Sequence, residues 1–241
     1  MTLTGKLVIA VIQARTGSTR LPGKVLRKLA GHPSLFYVLE RSKRSRRIDK
    51  VVLATTRRQR DTAVADLGEQ CGIEVYRGPE NDVLSRFNQC LQSQQRQFNM
   101  LVRVNADNFL ICPEIIDLCL DTLESRGLDI VNPFLDNTYP FGCGAEVATM
   151  ETFRKVERET RSKTTNYREH IFFYAYDHPE LFSFDTVVAP PELSRPGLNL
   201  SVDTRSEFDL LASFFETQGA QGALKAGLSE IISYFEGESR E

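Results

Sequence analysis

Short apolar runs alternate with longer amphipathic stretches over the first two thirds of the chain. The runs KLVIAVIQ, KVVLATT, IEVYRG, NMLVRVNAD and LDIVNP are rich in Val and Ile and read as five strands. PSLFYVLERSKRS, RDTAVADLGEQCG, ENDVLSRFNQCLQSQ and CPEIIDLCLDTLES carry apolar residues at helical spacing and fall between those strands. This alternation predicts an α/β fold, a mostly parallel sheet with right-handed crossovers. Near-continuous apolar strands require helices over both faces.

From about Asn132 the rhythm changes. NPFLDNTYPFGCGAEVATM reads as loop and short antiparallel strands, and ETFRKVERETRSKTTNYREHIFFYAYDHPE as a helix in one or two pieces. LFSFDTVV and LNLSVD read as further strands, with the turn-rich APPELSRPG between them. SEFDLLASFFETQG and ALKAGLSEIISYFEG read as two closing helices. The expectation is one domain over 1–241, with 132–195 as an insertion or lid on the α/β core.

Composition narrows the class. A chain of 241 residues with 41% hydrophobic and 26% charged residues is an ordinary globular domain. A net charge of -2 argues against broad binding to nucleic acid or an acidic membrane. Five cysteines without Cys-x-x-Cys spacing read as reduced thiols of a cytoplasmic protein, and three scattered histidines do not suggest zinc. The apolar run near the N-terminus is too short for a signal peptide or a membrane span. RSKRSRRIDK, Arg41 to Lys50, has six basic residues in ten and reads as a solvated helix end. No aromatic residue interleaves its charges, so nucleic-acid binding is not expected there.

Candidate chemistry begins at IQARTGSTRLPGKVL, Ile12 to Leu26, directly after the first strand. In open α/β sheets ligands bind at the carboxyl ends of the strands. Arg15, Arg20 and Lys24 place three cations on ten residues, and Gly17 and Gly23 let backbone amides approach an anion. The loop is not a P-loop, because five residues separate its glycines and Val25 follows Lys24. A solvated strand-helix connection remains an alternative on composition alone. Asp107 closes LVRVNAD and Asp203 closes LNLSVD, so both are expected at the sheet edge that carries the loop. Two carboxylates beside a polyphosphate suit Mg²⁺. Alternatively, Asp107 is a turn residue and Asp203 only precedes a helix, since TRSE from Thr204 fits a capping box.

IAVIQARTGSTRLPGKVL closely resembles the N-terminal signature of cytidylyltransferases that make CMP-activated sugars. The likeness is nearest to the spore coat polysaccharide biosynthesis branch, with the synthetases of CMP-ketodeoxyoctulosonate and CMP-neuraminate more distant. It continues through VVLATT, VYRGPENDVLSRF, VRVNAD, REH and LSVDT, in order and at similar spacing. The resemblance implies a nucleotide-diphospho-sugar transferase fold (GT-A or Rossmann-like) and CTP across the strand ends. It implies that Arg15 and Lys24 contact the triphosphate, with Ala14, Gly17, Ser18 and Arg20 in the same loop. It assigns Asp107 and Asp203 to Mg²⁺ and makes Arg15, Lys24 and Asp107 the catalytic set. Asn105, Ala54, Thr55, Arg77 and Asp82 are expected to shape the nucleotide site. Tyr139, Phe141, Glu146, Arg168, Glu169 and His170 are the candidate acceptor and dimer-contact residues.

The implied reaction is CTP plus a sugar or sugar acid giving a CMP conjugate and pyrophosphate, in surface polysaccharide biosynthesis, by a homodimer. One departure stands out: relatives usually carry proline two residues after the metal-binding aspartate, where this chain has Asn108 and Phe109. Alternatives are a same-fold enzyme using another nucleotide or a phosphorylated or phosphonate acceptor, and a non-catalytic nucleotide-binding protein.

Overall fold

The computed structural model describes residues 5–162 and 165–238. Outside them lie 1–4, at the start of the N-terminal stretch, 163–164, in the middle of the long helical reading, and 239–241. β1 (Val8–Gln13) is followed by the loop of interest and a small hairpin, β2 (Lys28–Leu29) with β3 (His32–Pro33). Then come α1 (Ser34–Ser42), β4 (Lys50–Thr56), α2 (Thr62–Gln70), β5 (Glu74–Gly78) and α3 (Val83–Gln92). β6 (Met100–Asn105), α4 (Pro113–Arg126), β7 (Ile130–Val131) and β8 (Glu146–Thr149) follow. The chain continues with α5 (Met150–Thr160), α6 (Thr165–Glu169), α7 (Phe173–Tyr176), β9 (Phe184–Asp185), α8 (Arg205–Lys225) and α9 (Leu228–Glu238).

Seven strands form one sheet in the order β5-β4-β1-β6-β8-β7-β9. β5, β4, β1 and β6 are parallel to one another, as the alternating pattern predicts, and β8 runs antiparallel to both β6 and β7. Both faces of the sheet are covered. Val8, Ala10 and Ile12 enter one hydrophobic cluster, with residues of α1, α4, α8 and α9. Ile9 and Val11 enter a second, with residues of α3, α5 and α7. This two-sided burial is why β1 has no polar residue before Gln13.

Several expectations change. LNLSVD is not a strand: Asn199 makes one isolated bridge with Phe141, and the following residues are extended without sheet pairing. LDIVNP and LFSFDTVV contribute only two-residue strands, β7 and β9. The segment 132–195 contains helices, the antiparallel strand β8 and the strand β9, parallel to β7, and both strands sit in the main sheet rather than on a separate lid.

The basic segment is only partly solvated: Lys43, Arg44 and Arg46 are exposed, but Arg41 is not. The Arg41 side chain is fully buried and donates to the carbonyls of Ile111, Ala223 and Ala226 at 2.7, 2.6 and 3.0 Å. Arg44 donates to the Leu224 carbonyl. Both satisfy the otherwise orphaned C-terminal carbonyls around the end of α8. Arg46 pairs with Asp117, and Arg47 with Asp121 and Glu124, all on α4. Lys43 pairs with Glu40 and Lys50 with Glu74. Four of the six cations, Arg41, Arg44, Arg46 and Arg47, thus join α1 and its C-terminal end to α4 and α8.

Candidate active site

The loop after β1 is a compact turn organised by Thr16. Its carbonyl accepts from the Ser18 and Gly23 amides at 2.9 and 3.0 Å. Its amide and hydroxyl both donate to the Asp61 carboxylate at 2.7 Å. Asp61 is fully buried and also accepts from the Thr56 hydroxyl, so it clamps the loop to the end of β4. Burial by itself would raise the Asp61 carboxyl, but the bonds from Thr56 and Thr16 outweigh it and hold the group below its ordinary value. Gly23 takes φ 68°, a left-handed turn that L side chains resist, and delivers Lys24 inward.

Lys24 is the centre of the site. Its ammonium donates to Asp107 Oδ2 at 2.9 Å, to Asp203 Oδ1 at 3.0 Å and to the Val202 carbonyl at 2.6 Å. Arg20 takes the other oxygen of Asp203 at 2.7 Å. Asp107 lies two residues beyond β6, in a turn whose Phe109 is buried against Phe208 of α8. That apolar anchor is what Asn108–Phe109 provides in place of the expected proline. Asp203 arrives without a strand: the Val202 amide donates to the Asp107 carbonyl at 3.0 Å, fastening the segment beside the turn. Thr204 then opens α8 with a capping box to Glu207, whose carboxylate also accepts from the Asp203 amide at 2.7 Å.

These groups line a cleft of about 470 Å³ at the carboxyl edge of the parallel strands. Arg15 faces Glu169 across it at 3.7 Å. Arg86 of α3 reaches in from one side. Gly78 makes room for it, since a Cβ there would lie 2.8 Å from Arg86 Cγ. Arg86 is 2% exposed, and burial, with Arg15 nearby, lowers its guanidinium to about 10, leaving it charged at neutral pH. The cleft is therefore cationic on the loop side and carboxylate-bearing at Asp107 and Asp203. Such a cleft suits a polyanion that carries a hard cation.

The family model for cytidylyltransferases matches residues 9–225, nearly the whole chain. The protein belongs to that family. This cytidylyltransferase is an enzyme of the nucleotidyltransferase class. It is 28% identical over 230 residues to the spore coat polysaccharide biosynthesis protein SpsF of Bacillus subtilis, covering 94% of this chain and 92% of that one. A 3-deoxy-manno-octulosonate cytidylyltransferase of Anaeromyxobacter sp. is 34% identical over 117 residues, 48% of this chain and 47% of its own. The solved structure of a cytidylyltransferase from Leptospira borgpetersenii superposes with a TM-score of 0.87 at 26% identity, over 98% of this chain and 96% of that one.

Within the cytidylyltransferase, the sequence candidates separate into two groups. Ala14, Arg15, Gly17, Ser18, Arg20 and Lys24 line the cleft from the loop. Asn105, Asp107, Glu169, His170 and Asp203 line it from the other sides. The remaining candidates are not among the lining residues. Ala54 accepts the Ala14 amide through its carbonyl, and Thr55 is buried beside it. Arg77 donates to the carbonyls of Thr56 and Arg58 at 3.0 and 2.8 Å and so braces the β4–α2 connection. Tyr139 is in the core, and Phe141, half exposed, packs on Phe134. Asp82 caps α3 and holds Arg168 through both carboxylate oxygens at 3.0–3.1 Å. That pair docks α6 on α3 and thereby brings Glu169 and His170 to the cleft. Glu146 accepts from Arg103 and, at 2.7 Å, from the Tyr176 hydroxyl.

Among the site residues that escape the sequence reading are Gln13, Arg86 and Arg103 in the lining, and Asp61 behind it. Gln13 donates to Asn105 Oδ1 at 2.6 Å across β1 and β6. A signal existed for Arg103, which breaks the apolar run of β6 at an even spacing from Asn105 and so shares its face. No comparable pattern marks Asp61, whose role depends on a contact 45 residues away in sequence.

Proposed function

We propose that the enzyme transfers CMP from CTP to a sugar or sugar acid and releases pyrophosphate, in the synthesis of a surface glycan. The observation that carries this reading is the contact of Lys24 and Arg20 with Asp107 and Asp203 in one cleft that Arg15 also lines. The names of the SpsF and octulosonate cytidylyltransferase relatives support CTP as donor and a sugar acid as acceptor. The acceptor oxygen forms a bond to the α-phosphorus as the bond from that phosphorus to the pyrophosphate oxygen breaks. The acceptor hydroxyl loses its proton. No protein nucleophile is needed, so the work of the chain is positioning and charge neutralisation.

Arg15, Arg20 and Lys24 bind the triphosphate and stabilise the charge that develops on pyrophosphate. Asp107 and Asp203 suit Mg²⁺: both are hard oxygen donors, and both reach one point, the Lys24 ammonium, within 3.0 Å. Among the described residues no cluster of three or more His, Cys, Asp or Glu is placed to hold a metal. The remaining coordination positions therefore suit phosphate and water oxygens. When bound, Mg²⁺ supplies polarisation of the phosphate. Glu169 and His170, on the wall opposite the loop, are read as acceptor contacts.

The enzyme is further read as a cytoplasmic homodimer. Its five cysteines are free and four are buried, which suits a reducing compartment. Light scattering at about twice 27.3 kDa would support the dimer. The central test is a nucleotide panel followed by a pyrophosphate-release screen with sugar acids. CTP should raise the melting temperature more than ATP, GTP or UTP. A preference for another nucleotide overturns the donor assignment.

A further inference from the structure

We propose that Lys24 is the internal counter-cation of Asp107 and Asp203, so that a divalent metal enters with the nucleotide triphosphate and not ahead of it. The inference rests on the reading of these carboxylates as metal ligands. It assigns Lys24 a task in the nucleotide-free enzyme that is separate from holding phosphate.

An ammonium has three N–H donors. All three of Lys24 have acceptors within 3.0 Å: Asp107, Asp203 and the Val202 carbonyl. The side chain is only 8% exposed, so little water competes for it. Arg20 occupies the second oxygen of Asp203. The two carboxylates are thus neutralised by two cations of the chain, and three of their four oxygens are engaged. A dication arriving alone must expel a buried ammonium from three acceptors and leaves that ammonium beside Arg15, Arg20 and Arg86 with no new anion. Both steps oppose binding.

A triphosphate reverses the balance. It brings anionic oxygens to the same wall, where Lys24 and Arg20 can exchange carboxylate for phosphate. Asp107 and Asp203 are then released together. The Val202 carbonyl belongs to the segment that carries Asp203, so the departure of Lys24 also frees that segment to adjust. Metal and nucleotide binding become positively coupled, and the coupling acts equally in both directions.

The test begins without nucleotide. Mn²⁺ binding is measured by electron paramagnetic resonance in wild type, Lys24→Met, and Lys24→Met combined with Asp107→Asn. Wild type should bind Mn²⁺ weakly, Lys24→Met about tenfold or more tightly, and the double variant should lose the gain. Because Lys24→Met leaves two carboxylates facing each other and can impair folding, a second measurement uses only the wild-type site. In ¹⁵N-lysine-labelled enzyme, the Lys24 ammonium resonance, assigned by its loss in Lys24→Arg, should ignore Mg²⁺ alone and shift with CTP. If wild type and Lys24→Met bind Mn²⁺ equally and both more tightly than the double variant, or Mg²⁺ alone moves the resonance, the counter-cation role is wrong while the metal ligands stand. If folded Lys24→Met binds Mn²⁺ no more tightly than the double variant, the inference falls together with the metal assignment. The Mn²⁺ measurement contains no nucleotide, so it is independent of the enzyme's preference for CTP.

Discussion

Lys24 Nζ lies 2.9 Å from Asp107 Oδ2, joining the loop after β1 to the turn after β6 across 83 positions of sequence. The two residues are the cation and anion poles of the cleft. Removing the cation takes away a donor aimed at the phosphates. Lys24→Ala should therefore lower kcat/KM for CTP by about 10²–10³-fold. Asp107→Asn should abolish the dependence of turnover on Mg²⁺ and most of the turnover with it. Steady-state pyrophosphate release measures both, and full activity in either variant would refute the corresponding role.

Asp61 predicts a different signature. Asp61→Asn keeps the shape but presents an amide to donors from Thr16 and Thr56. Stability should fall by about 1–3 kcal/mol, and CTP affinity by about tenfold or more as the loop loses its anchor. Folding holds the Asp61 carboxyl below its unfolded value. Its contribution is complete above pH ~4 and fades as pH falls through the lower folded value. The acid limb of the stability curve should thus be flatter in Asp61→Asn than in wild type, as read by urea unfolding across pH.

Arg41 is expected to affect stability and not chemistry. Arg41→Met leaves carbonyls of Ile111, Ala223 and Ala226 buried without their donor. A loss of about 3 kcal/mol or more follows from unsatisfied buried acceptors, and a melting temperature lower by roughly 6–12 °C. Turnover per folded molecule should be unchanged. Calorimetry combined with an activity assay at low temperature separates the two.

The Arg168–Asp82 pair gives a prediction about placement. Arg168→Gln should loosen α6 from α3, speeding amide hydrogen exchange over 165–169, while the rise in melting temperature caused by CTP persists. Loss of that CTP response would mean that Arg168 serves the nucleotide instead.

The sheet, the loop and the placement of Lys24 and Asp107 at one edge of the sheet are legible because each rests on local pattern: apolar runs, glycines and a polar residue at a strand end. Asp203 reaches the cleft by a different route from the strand that its sequence suggests. LNLSVD has the composition of a strand, but its backbone bonds go to the Asp107 turn and to Phe141, tertiary contacts that no local pattern encodes. Arg77 and Asp82 sit in a strongly patterned segment, and their guanidinium and carboxylate are used to brace backbone and α6. The basic run at Arg41–Lys50 misleads for the same reason: its acceptors lie on α4 and at the end of α8, far away in sequence.

The reversed direction of β8 has an architectural consequence. Parallel strands offer their trailing loops to the carboxyl edge, whereas an antiparallel strand offers the loop that precedes it. Glu146, the first residue of β8, therefore stands beside Arg103 near the end of β6. The stretch 132–145 ahead of it is woven into the core: Tyr139, Cys143 and Ala145 are buried in the cluster that holds β1 and β6, and Phe141 bridges Asn199. A turn placed there serves as a foundation of the fold, so exchanging it is expected to lower the melting temperature, which calorimetry would read.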